Sequence, residues 1–140
     1  MMVLRTQLGY LYKSFSNDAG VTWTKAESMG IVSPLSPATV KRIPKTGHLL
    51  LVWNNAPQSK DLIEQGSASP RTPLTTAISK DEARTWQHVQ NLECDKRFAF
   101  AYTSVLFDGD WTLLSYFVHQ RALDLVSMKV ALVETDWFYQ

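Results

Sequence analysis

One eight-residue pattern occurs twice in this chain, as SNDAGVTW at 16–23 and as SKDEARTW at 79–86, 63 residues apart. Each copy lies between an alternating segment and a stretch that opens with Thr-Trp, so the copies are in register as turns. The residue types suit a tight hairpin. An aspartate in a turn accepts hydrogen bonds from nearby backbone N–H groups, and Ser and Thr hydroxyls close further ones. Glycine supplies a positive φ, and the tryptophan packs over the hairpin. Ser16, Asp18, Gly20, Thr22 and Trp23 fill these roles in the first copy, and Ser79, Asp81, Thr85 and Trp86 in the second. Ala83 stands where the first copy has Gly20, so that turn is either remodelled or strained. A repeated hairpin turn constrains the fold to an array of small sheets.

The rest of the chain agrees. Residues 10–16 alternate, with Tyr10, Tyr12, Ser14 and Ser16 on one face and Leu11, Lys13 and Phe15 on the other. Residues 48–53 form a short apolar run bounded by Gly47 and Asn54-Asn55, which reads as a buried strand. Segments 73–79, 101–107, 111–118 and 125–133 read the same way, and 44–47 and 108–110 have hairpin-turn composition. Helical periodicity is weak throughout, and the polar stretch 57–66 reads as a loop or a single helical turn. About ten antiparallel strands with closely spaced turns point to a sandwich or a propeller.

Composition excludes several functions. A net charge of +1 gives no reason to expect a nucleic-acid partner. Residues 1–47 carry six Lys or Arg against two acids, and the remainder eight against eleven, a mild asymmetry. Cys94 is single, and His48, His88 and His119 form no helical or hairpin metal pair, so neither a metal nor another cofactor is expected. The opening MMVLRTQLG lacks the pattern of a signal peptide, and no run reaches the roughly 20 apolar residues of a membrane-spanning helix. A cytoplasmic location, without a membrane partner, is the default expectation.

The repeated turn resembles the Asp-box (BNR repeat) of the sialidases, which lies on the hairpin between the third and fourth strands of a propeller blade. The likeness runs along the chain. LRTQLG (4–9), SPATVKRIP (36–44), LLLVWN (49–54), RTPL (71–74), FAYTS (100–104) and DWFY (136–139) are similar, in order, to pieces of a bacterial sialidase propeller. The resemblance implies an all-β fold, a partial β-propeller of about three four-stranded blades, half of a six-bladed ring. It implies one domain over 1–140, with blade pieces at about 1–28, 36–92 and 98–140.

Sialidases hold the substrate carboxylate with three arginines and attack the anomeric carbon with a tyrosine. A glutamate acts as the base for that tyrosine, and an aspartate as acid/base for the leaving group. By resemblance, Arg5 and Arg71 match two of the substrate-binding arginines and Tyr102 matches the catalytic nucleophile. The chemistry suits the residue types. A sialic acid bears its carboxylate on the carbon under attack, so a neutral tyrosine avoids like-charge repulsion. It is a poor nucleophile unless a base activates it. An arginine fork binds a carboxylate through two parallel hydrogen bonds. Without the family pattern, an arginine at a strand end is a surface residue and a tyrosine opening a strand is packing; Arg42 reads as a strand-edge charge.

The resemblance places the base glutamate, the acid/base aspartate and the first arginine upstream of residue 1. Completing the ring then calls for a homodimer or a separate chain carrying the N-terminal half. Three functions follow as expectations. The first is an exo-α-sialidase-like hydrolase that borrows Glu64 or Glu93 of a dimer partner as base. The second is a module binding sialic acid or a related carboxylated sugar without turnover. The third is a structural remnant, a truncated reading frame that oligomerises without selected activity.

Overall fold

The computed structural model describes residues 1–59 and 70–140. It contains ten strands: β1 (Met2–Leu4), β2 (Tyr10–Ser14), β3 (Glu27–Val32), β4 (Thr39–Arg42), β5 (Leu49–Asn54), β6 (Leu74–Ser79), β7 (Gln87–Glu93), β8 (Phe98–Asp108), β9 (Trp111–Gln120) and β10 (Leu125–Glu134). A short 3₁₀ helix, Thr135–Tyr139, closes the chain. The strands form three antiparallel sheets, β1-β2-β3, β4-β5-β6-β7 and β8-β9-β10, stacked face to face as blades of a partial propeller. The first sheet runs to Val32, past the expected boundary at 28, because the strand after the first turn returns to pair with β2. The stretch 57–66, expected as a loop or a single helical turn, falls largely outside the described residues.

The middle sheet explains the apolar run. Every residue of β5 and β6 is buried. Leu50 and Val52 of β5 face the third sheet, packing with Phe100, Val105, Leu114, Tyr116 and Phe138. Leu51 and Trp53 face the first sheet, packing with Leu11 and Ala77. A strand covered on both faces is apolar at consecutive positions rather than alternate ones. In β9 only Thr112, Leu114 and Tyr116 are buried. Its other face is open: Trp111, Leu113 and, on β10, Met128, Val130 and Leu132 are exposed. The outer face of the first sheet exposes Met2, Tyr10 and Val32.

Both copies of the repeated turn fold alike. Thr22 N donates to Asp18 Oδ1 (2.9 Å) and its hydroxyl to Oδ2 (2.6 Å); Thr85 does the same to Asp81 at 2.8 and 2.6 Å. Gly20 N and Ala83 N donate to the first-position serine hydroxyl at 2.7 and 2.9 Å. These bonds, the threonine hydroxyl's first, hold both aspartates at about 2 against an ordinary 3.8. Ala83 keeps the turn at φ 64°, so the strain is accepted and not relieved by remodelling. Ala83 is 1% exposed, and its carbonyl takes a 3.0 Å bond from Lys13 Nζ of the first sheet, which fixes the backbone from outside the turn. The two tryptophans differ. Trp23 Nε1 donates to Gly20 O (3.0 Å), whereas Trp86 packs between two sheets with its buried Nε1 unpartnered among the described residues.

Candidate functional site

The three stacked sheets each deliver one of the sequence-selected residues to the same end of the molecule. Arg5 follows the last residue of β1 in the first sheet, Arg71 leads into β6 in the second, and Tyr102 sits early in β8 in the third. Arg71 Nη2 donates to the Tyr102 hydroxyl (3.4 Å), and its guanidinium carbon lies 4.9 Å from the Tyr102 ring centroid. Arg5 stands near enough to favour the ionised phenol, a lesser influence than Arg71.

A break in β8 positions Tyr102. The register with β9 is regular from Phe98 to Ala101, paired with Phe117, and resumes at Ser104, paired with Ser115. Two residues therefore stand opposite one, a β-bulge, and Tyr102 occupies it at φ 57°. A tyrosine in the left-handed region is strained, and the bulge turns its ring out of the sheet alternation. Tyr102 is 58% exposed.

The segment carrying Arg71 is laced to the same strand. Phe100 N donates to Arg71 O (2.8 Å), and the Thr72 hydroxyl donates to Phe98 O. Beneath them lies the Asn54 amide, fully buried. Asn54 Nδ2 donates to Pro73 O (3.1 Å) and Phe100 O (3.0 Å), while Oδ1 accepts from the Ser36 hydroxyl (2.5 Å). Two carbonyls and one hydroxyl admit only this amide orientation. Sequence reasoning placed Asn54 in the turn bounding a strand and missed it; a polar residue ending a wholly apolar run was the available signal.

Electrostatically the site is cationic among the described residues. Among the described residues neither Arg5 nor Arg71 has an ion-pair partner, and the buried Arg71 Nε has no acceptor. The Arg71 hydrogen bond first, then its charge, lowers the Tyr102 pKa below that of an ordinary phenol; partial burial opposes and Arg5 adds to it. Replacing Arg71 with glutamine is therefore expected to raise the Tyr102 pKa. Phenolate absorbance, with Tyr102→Phe assigning the signal, measures it; an unchanged titration would show that Arg71 does not act on the phenol in solution.

Other candidates lie elsewhere. Arg42 is paired with Glu82 (2.7 Å) beside the Gly47 carbonyl, at the hairpin end of β4. Glu93 accepts from the Tyr116 hydroxyl (2.5 Å) and pairs with Lys129, with 14% of its side chain exposed, so it is committed within its own chain and not free to serve a partner's Tyr102. Glu64 lies outside the described residues. The crevice of about 540 Å³ that contains Glu93, lined also by Phe98, Phe100 and Val118, is separate from the arginines. No described carboxylate bonds Tyr102, and Asp18 and Asp81 stay in their turns.

Stacked antiparallel sheets of three, four and three strands, with polar groups gathered at one end, define a propeller-type protein. Residues 1–116 match the BNR repeat-like domain, and the chain belongs to that family. A solved structure of Penicillium chrysogenum alpha-L-arabinanase complexed with arabinobiose is similar at 18% identity and a TM-score of 0.59 over 89% of this chain. At that identity the likeness concerns the fold, and the chain spans 38% of the arabinanase's length. A search of curated proteins found no significant match. Among the described residues no helix is long and apolar enough to cross a membrane.

Proposed function

We propose that this protein binds a carboxylated sugar of the sialic acid class through Arg5, Arg71 and Tyr102. The observation that carries the reading is the convergence of two guanidinium groups, unpaired among the described residues, on one partly exposed phenol. A planar fork suits a carboxylate, and a phenol offers a hydroxyl and a ring face to the sugar. The fold relative was solved with arabinobiose, a neutral sugar; two arginines without an ion-pair partner among the described residues favour an acidic one here. The sialidase resemblance of the sequence assigns the same three residues to sialic acid. Glycoside hydrolysis is not part of the proposal for the lone chain. No described carboxylate stands ready to activate Tyr102, and general acid–base assistance is worth about 10²- to 10⁴-fold in rate.

Titration with N-acetylneuraminic acid and with arabinobiose, followed by heteronuclear NMR, tests this. Saturable binding of the acid alone, with no turnover of a fluorogenic sialoside dependent on Tyr102, is the expected result. Absence of sialic acid binding would overturn the reading, and turnover lost in Tyr102→Phe would favour the hydrolase.

We further propose that a second copy of the chain covers the two open sheet faces. Both are apolar, and the N-terminal third is basic while the remainder is acidic, so the first sheet of one copy suits the third sheet of the other. Two such contacts related by a two-fold axis close a ring of six sheets. Light scattering should then give about twice 15.9 kDa, and a monodisperse monomer would exclude this arrangement.

A further inference from the structure

β8 is an edge strand of the third sheet and lies against β4, an edge strand of the middle sheet. In an edge strand the carbonyls of alternate residues point out of the sheet and need donors from elsewhere. Four outward carbonyls of β8 receive them from side chains of the middle sheet or the segment leading into β6. Thr72 donates to Phe98 O, Asn54 to Phe100 O (3.0 Å), the Thr39 hydroxyl to Thr103 O (2.6 Å) and Lys41 Nζ to Val105 O (2.8 Å). These acceptors fall two residues apart except across the bulge, where Phe100 and Thr103 are three apart. The extra residue thus changes which carbonyls face the middle sheet, and Asn54 and Thr39 grip the strand on either side of Tyr102. Thr39 is itself anchored, because β4 pairs it with Val52 of the buried β5.

From this geometry we infer that Thr39 is a positioning residue of the candidate site, whose hydroxyl holds Tyr102 in its left-handed turn through Thr103 O and so sets the affinity for a carboxylated sugar. A tyrosine at φ 57° is strained and stays there only where its surroundings over-determine it. Pairing with β9 leaves the extra residue outside the ladder, so the strand partner cannot hold it. The Thr39 bond supplies the fixed point that the ladder lacks. Without it the Thr103 carbonyl loses its donor, and the chain is free to relax toward extended backbone. That relaxation would carry the phenol away from Arg71, whose Nη2 now stands 3.4 Å from it. Lys41 bonds the regular strand three residues beyond Tyr102, and so tethers β8 without setting the turn.

The effect on affinity rests on the proposed carboxylate site, and the test separates the two. Thr39→Val keeps the shape and favours a strand while removing the donor. Thr39→Ser keeps the donor, and Lys41→Met removes the neighbouring tether. The ¹³C chemical shifts of Tyr102, which report its backbone conformation, are expected to move toward extended values in Thr39→Val. They should return in Thr39→Ser and stay at wild-type values in Lys41→Met. Affinity for N-acetylneuraminic acid, read by NMR titration, should fall about 3- to 10-fold in Thr39→Val alone, the worth of one neutral hydrogen bond. Unchanged Tyr102 shifts in Thr39→Val, or the same change in Lys41→Met, would overturn the role of Thr39, as would an unchanged affinity where the wild type binds. If the wild type does not bind the acid, the carboxylate reading falls, and the Tyr102 shifts alone decide the role of Thr39. Should Thr39→Val not fold, Thr39→Ala takes its place with the same expected results.

Discussion

Replacing Asn54 with alanine is expected to destabilise the protein by about 3 kcal/mol and to disorganise the candidate site in the part that still folds. The side chain is fully buried and joins Ser36, Pro73 and Phe100, three segments distant in sequence. Its removal leaves two carbonyl oxygens and a hydroxyl without partners in a place water cannot readily reach. Each stranded group costs about 1–3 kcal/mol. Asn54→Asp should be at least as harmful, because a carboxylate cannot donate to the two carbonyls and carries a charge into the interior. Urea unfolding at constant m-value measures the loss, and a change below about 1 kcal/mol would show that relaxation or water replaces the amide. Pro73 and Phe100 flank the bond between Arg71 O and Phe100 N, so the spacing of Arg71 and Tyr102 depends on the same amide.

Arg71→Ala is expected to weaken sialic acid binding by about 10- to 100-fold, the range for losing hydrogen bonds to a charged group. Stability should change little. The backbone bond of residue 71 remains, and the buried Nε has no described acceptor to lose. Arg71→Lys should not restore affinity, because an ammonium is a point charge and cannot match a carboxylate with two parallel bonds. Arg5→Ala is expected to act in the same direction with a smaller effect, since Arg5 is exposed and is the lesser influence on Tyr102. The titrations that define wild-type binding measure these variants, and an unchanged dissociation constant for Arg71→Ala would remove the carboxylate clamp from consideration.

Several features could be read from the residues because their causes are local. The serine, threonine and aspartate hydrogen bonds that shape the repeated turn fall within a few residues of each aspartate, so the pattern specifies the hairpin, and only the Lys13 bond to Ala83 comes from outside it. β5 announced its double burial because consecutive apolar side chains have no other use in a strand that short. Strands β3, β4 and β7 lie at sheet edges and are only partly buried, and their mixed composition did not set them apart. Arg5, Arg71 and Tyr102 could be nominated from a family pattern, but nothing in their neighbouring residues says that they meet.

Their meeting was decided by tertiary structure. Stacking three sheets in one sense brings one end of each to a common surface, across separations of 66 and 31 residues. The left-handed turn of Tyr102 depends on two residues standing opposite one across β9, a property of strand pairing that no alternation pattern records. Asn54 shows the same division: in sequence it resembles a turn residue, and its three partners exist only once the middle and third sheets have packed. Short-range hydrogen bonding and side-chain periodicity are written along the chain, whereas a buried amide's partners and a strained phenol's orientation are set by surfaces that form only on folding.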